Sequence, residues 1–403
     1  MKLQLGNLIL TVILSALSLH IAGDLDLVRK EVKFSQSLFS KISGVTPSLV
    51  YSPYSIHSVI SLTCAGARGA TQGAMRRTLG LKDGELQTFH NAYRRWNSEL
   101  TSDTMVKVHV ANGLFVKPGL PIEPSFHDLA TSQYQAVSRN LDLSAQGGPE
   151  VPINTWVAEK TSDMIQNLLP PGTVNDLTAL VLVNTIFFNG SWTFPFSQYK
   201  TKDADFTLPD HSVATVKMMN AKNDLLYKSD STLRAHVVDL PFHGGNFSMT
   251  VVLPHAGTSL ATLEGNLTSQ DGATLTLLEG LHTREVDLYL PKFRIESGFS
   301  LKKALTDLGM GLAFDKDNAN FTGIVRDVPT YISDVFHKAV IEVNERGTTA
   351  SAATAMVMSK MSLRIDPDGP VVVRADRPFL FFLRDVRNGG ILFQGKFSGP
   401  ARA

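Results

Sequence analysis

Apolar residues recur at helical spacing soon after residue 24. Val28, Val32, Phe39 and Ile42 share one stripe, with Ser35 completing the spacing, and predict a helix. Val157, Met164 and Leu168 form a second stripe, which predicts a helix over 154–169 ended by Pro170 and Pro171. Leu301, Leu305 and Leu308 predict a third, starting after Ser300 and stopping at Gly309. Strands show as alternation: Val106, Val108 and Val110 with Lys107 and His109, and Val286, Leu288 and Leu290 with Glu285, Asp287 and Tyr289. The run 179–188 is apolar apart from Asn184 and Thr185, the pattern of a central strand buried on both faces. Segments 379–383 and 391–397 give two more strands. Helices lead and strands dominate late, which predicts an α+β fold. Only 146–152 and 366–370 read as loops by composition, and neither is long enough to be a flexible linker. One large domain over 24–403 is therefore expected.

Residues 1–23 stand apart. Lys2 precedes a nearly continuous apolar run from Leu8 to Leu19, and Ile21, Ala22 and Gly23 offer small residues for cleavage before Asp24. This is the layout of an export signal, and the run is too short to span a membrane. A secreted chain is expected, with no membrane anchor. Export commonly brings disulfides, but Cys64 is the single cysteine and lies in an apolar stretch, where a buried small hydrophobe is expected. Stability must then come from a large core. The 43% hydrophobic content can supply one and excludes a disordered chain. A formal net charge of +1 gives no electrostatic reason to expect nucleic acid as a partner. Asn189, Asn246, Asn266 and Asn320 head Asn-X-Ser/Thr sequons and are candidate glycosylation sites.

Catalytic and metal patterns are absent. There is no Cys-x-x-Cys or His-Glu-x-x-His spacing for zinc, no Gly-x-Ser-x-Gly elbow and no phosphate-binding Gly-x4-Gly-Lys. The chain is read as no enzyme, with no metal and no required cofactor. The informative stretch is 345–362, Glu-Arg-Gly-Thr-Thr-Ala-Ser-Ala-Ala-Thr-Ala-Met-Val-Met-Ser-Lys-Met-Ser. Every side chain from 347 to 355 is small, no proline occurs, and no charge lies between 348 and 359. Such a segment can enter a sheet, because each N–H is available for pairing. As a strand it would set Thr348, Ala350, Ala352, Thr354, Met356 and Met358 on one side. Composition alone fits a plain surface loop equally well. Ser52, Ser55, Asn184 and His337, each in or beside apolar surroundings, read as buried polar groups that satisfy one another.

The stretch 345–355 resembles the reactive-loop hinge of inhibitory serpins. Tyr51-Ser-Pro-Tyr-Ser-Ile56 and His337-Lys-Ala resemble the family's shutter; Asn184 and Phe188-Asn-Gly-Ser-Trp192 resemble the strand and breach beneath the loop. Leu290-Pro-Lys-Phe293, Leu308-Gly-Met310, Ala319-Asn-Phe-Thr-Gly-Ile324, Asp376-Arg-Pro-Phe379 and Gly395-Lys-Phe397 continue the likeness over nearly the whole chain. Leu180-Val-Leu-Val-Asn184 and Ile341-Glu-Val-Asn-Glu345 are most similar to the plasminogen-activator-inhibitor clade, clade E. The resemblance implies a single serpin domain, helices packed on a large central sheet with further sheets and an exposed reactive loop over 345–362. It implies a monomer that inhibits an extracellular serine protease by covalent trapping. The implied hinge is Glu345, Gly347, Thr348, Ala350, Ala352 and Thr354; Ser52, Ser55, Asn184, Trp192 and His337 take conformational roles. Family spacing puts the reactive bond at Met361–Ser362, with Lys360–Met361 the alternative. Met361 suits elastase- or chymotrypsin-like pockets, and Lys360 a trypsin-like pocket with a buried acid. Arg76, Arg77, Lys82, Arg94 and Arg95 lie where related serpins bind heparin, a candidate glycosaminoglycan site. Arg346 stands where the family often has an acid, and 362–376 is longer than usual. The competing reading is a non-inhibitory serpin serving as carrier, chaperone or binding protein; the small residues at 348, 350, 352 and 354 argue against it.

Overall fold

The computed structural model describes residues 23–270, 272–348 and 369–400. The first apolar stripe forms helix α1 (23–42), which buries Val28, Val32, Phe39 and Ile42. Strand β1 (Leu49–Tyr51) leads into α2 (Pro53–Gly66). Ser52 caps α2, its Oγ accepting the Ser55 N–H at 3.1 Å, and Pro53 fits the first turn, where its missing N–H has no partner to lose. Then follow α3 (Gly69–Thr78), α4 (Leu86–Ser102), β2 (Val106–Val116), α5 (Pro124–Tyr134), β3 (Val137–Asn140), α6 (Val151–Lys160) and β4 (Leu180–Ser191). Four strands come next: β5 (Lys202–Thr207), β6 (Val213–Asp230), β7 (Ala235–Pro241) and β8 (Phe247–Pro254). Helices α7 (Leu260–Ser269) and α8 (Ala273–Leu278) precede β9 (His282–Pro291), β10 (Phe293–Ser300) and the short α9 (Lys302–Leu305). The chain closes with β11 (Ile332–Asn344), β12 (Gly347–Thr348), β13 (Val371–Arg374), β14 (Phe379–Asp385) and β15 (Ile391–Phe397).

Two sheets organise these elements. One runs β1-β15-β14-β8-β7-β6-β9-β13, with β5 added to β6. The other runs β10-β11-β12-β4-β2-β3, and in it β11 also pairs directly with β4. Strand β4 shows why 179–188 lacks alternation. Leu180, Leu182, Ile186 and Phe188 face the main core, while Val181 and Val183 face a second cluster with Ile153, Trp156 and Val157 of α6. Helix α2 packs against β2, β4 and β15 on the main-core side.

Two predicted helices differ. The one expected over 154–169 is α6, and it ends at Lys160. Ser162, Asp163 and Asn167 take left-handed backbone angles, so the chain folds over and brings Ile165 and Leu168 onto the same apolar cluster without helical turns. After Ser300 the helix continues past α9 only as a widened turn, interrupted at Gly309 with φ +104°. Cys64 is buried and unpaired, and burial pushes its thiol pKa up to about 12.

Candidate functional site

Strands β4 and β11 run parallel, paired from Leu180 and Ile332 as far as Ile186 and Ala339. There their pairing stops. The chain turns at Glu345 and Arg346 and returns as β12 between the two strand ends. Gly347 and Thr348 pair with Asn344 and Val343 on one side, and with Ser191 and Gly190 on the other. The seam between β4 and β11 is thus open at one end and holds a two-residue wedge. A Cβ on Gly347 would lie 1.9 Å from the Gly190 carbonyl oxygen, so only glycine fits there. Thr348 is fully buried, and its Oγ1 has no hydrogen-bond partner.

The turn is fastened from below. The Trp192 N–H donates to Arg346 O at 2.8 Å, and the Phe196 N–H to Glu345 O at 2.9 Å. The Trp192 indole donates to Asn344 O at 2.9 Å while its ring stacks on Phe242, centroids 4.4 Å apart. The buried Glu345 carboxylate accepts from Lys292 Nζ at 2.9 Å and Thr201 Oγ1 at 2.9 Å. Burial works to raise its pKa, but these two donors and the Lys292 charge outweigh that and hold it below the ordinary value. Arg346 points to solvent. Sequence reasoning missed Thr201 altogether, and the one signal for Lys292 was its place in the Leu-Pro-Lys-Phe motif.

Lower in the seam, Asn112, Asn184 and His337 form a row across β2, β4 and β11, Asn184 opposite both others. The Ser52 N–H donates to His337 Nε2 at 3.1 Å. His337 must therefore carry its proton on Nδ1, which donates to Asn184 Oδ1 at 2.7 Å. The Asn184 amide in turn donates to Asn112 Oδ1 at 2.5 Å and to Ser55 Oγ. Asn184 thus ties the seam shut across β4 and β11 and anchors both to α2. Asn112 went unremarked in the sequence because only strand register places it there. Asn184→Ala should leave the His337 N–H and the Asn112 carbonyl without a buried partner. Chemical denaturation should show a loss of about 3 kcal/mol.

Burial pushes the His337 pKa down to about 3. The folded state therefore holds this imidazole neutral, while the unfolded chain takes up a proton near pH 6.5. His337 costs nothing above pH 6.5 and destabilises progressively as pH falls from 6.5 toward 3, by up to ~1.4 kcal/mol per pH unit. His57, His90 and His236 are pushed to about 4 and act alike. Urea midpoints measured between pH 7 and 4 should fall, and should fall less steeply in His337→Gln.

The remaining candidates are scattered more widely. Arg76 and Arg77 lie on α3, Lys82 in the following turn, and Arg94 and Arg95 on α4. Arg76 is ion-paired with Asp83, and Arg95 with Asp24, its Nε 3.1 Å from each carboxylate oxygen. Arg77, Lys82 and Arg94 are exposed. Of the sequon asparagines only Asn320 is exposed; Asn189, Asn246 and Asn266 are half-buried, and the Asn246 amide donates to Asp103 at 2.9 Å. Residues 1–22, Ala350, Ala352, Thr354, Lys360, Met361 and Ser362 lie outside the described residues. Among the described residues no cluster of three His, Cys, Asp or Glu could hold a metal, and no helix is long and apolar enough to cross a membrane.

Comparison with known proteins places this architecture. The chain is 36% identical to serpin B8 of Homo sapiens over 93% of its length and 100% of the relative's. It is 33% identical to leukocyte elastase inhibitor of Xenopus tropicalis, covering 91% of this chain and 97% of that one. The crystal structure of Serpin48 from Tenebrio molitor superposes with a TM-score of 0.82 at 30% identity, over 94% of this chain and 98% of that one. The family model described as "Serpin (serine protease inhibitor)" matches residues 29–400. A seam closed by a polar row and entered from above by a returning strand, on a chain matched over nearly its whole length, is that of a serpin: the protein belongs to the serpin family of serine protease inhibitors.

Proposed function

We propose that the chain is a secreted, single-use inhibitor of an extracellular serine protease. The catalytic serine of the target attacks the Met361 carbonyl, the Met361–Ser362 bond breaks, Ser362 leaves with a free amine, and Met361 stays esterified to the protease. The freed segment then continues into the seam that β12 has begun to fill. That wedge is the observation that carries the reading. Counting onward residue for residue from Thr348, the register with β4 and the register with β11 independently bring Thr354 between Asn184 and His337. The segment from Thr348 to Met361 would span about 46 Å at ~3.3 Å per residue, enough to drag the tethered protease along the sheet. Distortion of the protease's catalytic site then outpaces hydrolysis of the ester.

Met361 suits an elastase-like pocket, and one relative is named as an inhibitor of leukocyte elastase. Cleavage at Lys360–Met361 would instead select a trypsin-like enzyme such as a plasminogen activator, in line with the clade E likeness of 180–184 and 341–345. Export rests on the layout of residues 1–23, glycosylation is best served by the exposed Asn320, and glycosaminoglycan binding falls to Arg77, Lys82 and Arg94. Incubation with a panel of serine proteases, followed by a denaturing gel, tests the reading. A heat-stable covalent band should form, and the released peptide should begin at Ser362. A start at Met361 selects the alternative bond. Clean cleavage with every protease still active would instead favour a carrier or chaperone.

A further inference from the structure

A groove of about 930 Å³ opens between the β5–β6 turn, the start of β10 and the chain after β15. That volume suits a drug-sized ligand. Val216, Ile295 and Phe397 give it an apolar floor, and Lys217, Lys292 and Arg294 bring three cations to it. Its two carboxylates are engaged: Asp210 accepts from Ser212 N–H at 3.1 Å, and Glu296 is shared by Arg294 at 3.0 Å and Lys338 at 2.8 Å. Lys217 and Lys292 pair with carboxylates that do not line the groove, Asp203 at 2.8 Å and Glu345 at 2.9 Å. The lining thus carries more cations than carboxylates, and one of those cations is the clasp on the hinge.

We propose that this groove binds a small amphipathic carboxylate, its apolar body on Val216, Ile295 and Phe397 and its anionic head on Lys217 and Lys292, and that binding loosens the hinge by competing with Glu345 for Lys292. The regulatory consequence rests on the reading above, in which the hinge segment moves into the seam; the binding itself does not. Competition for one ammonium is reciprocal, so a conformation with Glu345 released binds the anion more tightly. A ligand in the groove therefore raises the population in which Glu345 has left its clasp.

Sodium dodecanoate, kept below its micellar concentration, is the probe, titrated calorimetrically into the full chain. One-to-one binding is expected, weakened about tenfold or more in Thr215→Trp, which fills the groove from an exposed position, and in Lys292→Gln, which removes a charge-assisted contact. Dodecyltrimethylammonium should not bind. Hydrogen exchange reads the hinge without any protease: the Trp192 and Phe196 amides, which donate to Arg346 O and Glu345 O, should exchange faster at saturating dodecanoate, and Thr215→Trp should abolish the effect. Equal affinity in Thr215→Trp, or unchanged exchange at saturation, overturns the proposal. Binding and faster exchange in a protein that traps no protease would leave the proposal standing and overturn the inhibitory reading.

Discussion

Thr348→Arg should turn the inhibitor into a substrate: the target protease cuts the chain, is released active, and leaves no covalent band. Thr348 is fully buried between Val343 and Gly190, on the side of the sheet that faces the main core. A guanidinium there would have no acid to meet, and burying an unpaired charge costs several kcal/mol. Thr348 already holds its inserted place in the uncut chain, so an arginine expels β12 from the seam, and the segment behind it cannot follow until the hinge re-enters; the cost of that re-entry falls on insertion and not on cleavage. At ~1.4 kcal/mol per tenfold, insertion should slow by about 100-fold or more, and ester hydrolysis then wins the race. Thr348→Ala separates size and charge from the hydroxyl. The Thr348 Oγ1 makes no hydrogen bond, so its loss should leave trapping intact. The number of inhibitor molecules consumed per protease inactivated, measured for both variants, decides the matter. A stable complex with Thr348→Arg at unchanged stoichiometry would show that the hinge need not enter the sheet.

The parts of the fold that could be read in advance were those where a period matches one environment. The stripe of α1, the alternation of Val106 to Val110 and the two-sided burial of β4 each followed from residues that all face the same kind of neighbour. Helix α6 shows the limit. Leu168 keeps helical spacing and reaches the second cluster, yet the chain leaves the helix at Lys160 and it is Ile165, not Met164, that joins it there, so spacing marked the core-bound stretch but not the path taken to the core. The polar row shows a second limit. Asn184 stood out as a polar residue in an apolar run and His337 through its likeness to the serpin shutter, but their union with Asn112 depends on register between strands far apart in sequence. The Glu345 clasp is comparably remote, with Thr201 144 residues away, and a local pattern holds no trace of such a contact.

Cutting the chain between 349 and 368 should raise the midpoint of thermal unfolding by about 10 °C or more, the effect of several kcal/mol at ~2–4 °C per kcal/mol. The seam supplies the reason. Between Ile186 and Gly190 on β4, and between Ala339 and Val343 on β11, the two strands have parted, and among the described residues nothing pairs across the seam with 187–189 or 340–342. An inserted strand would pair with both at once. It would also replace the parallel β4–β11 ladder below with two antiparallel ones, which are more stable per residue. A cut would untie the β12 side of the chain from β13, which is held at the other sheet by its pairing with β9. The Asn184–His337 bond must open to admit Thr354, whose hydroxyl can donate and accept in its place. That bond is accordingly the toll that separates the two states kinetically, and Asn184→Ala should widen the gap in midpoint between cut and uncut protein, because it lowers the uncut midpoint alone if the cut form no longer depends on the bond. Superimposable calorimetric traces before and after the cut would mean that the seam stays empty, and that no tension was held in the uncut sheet.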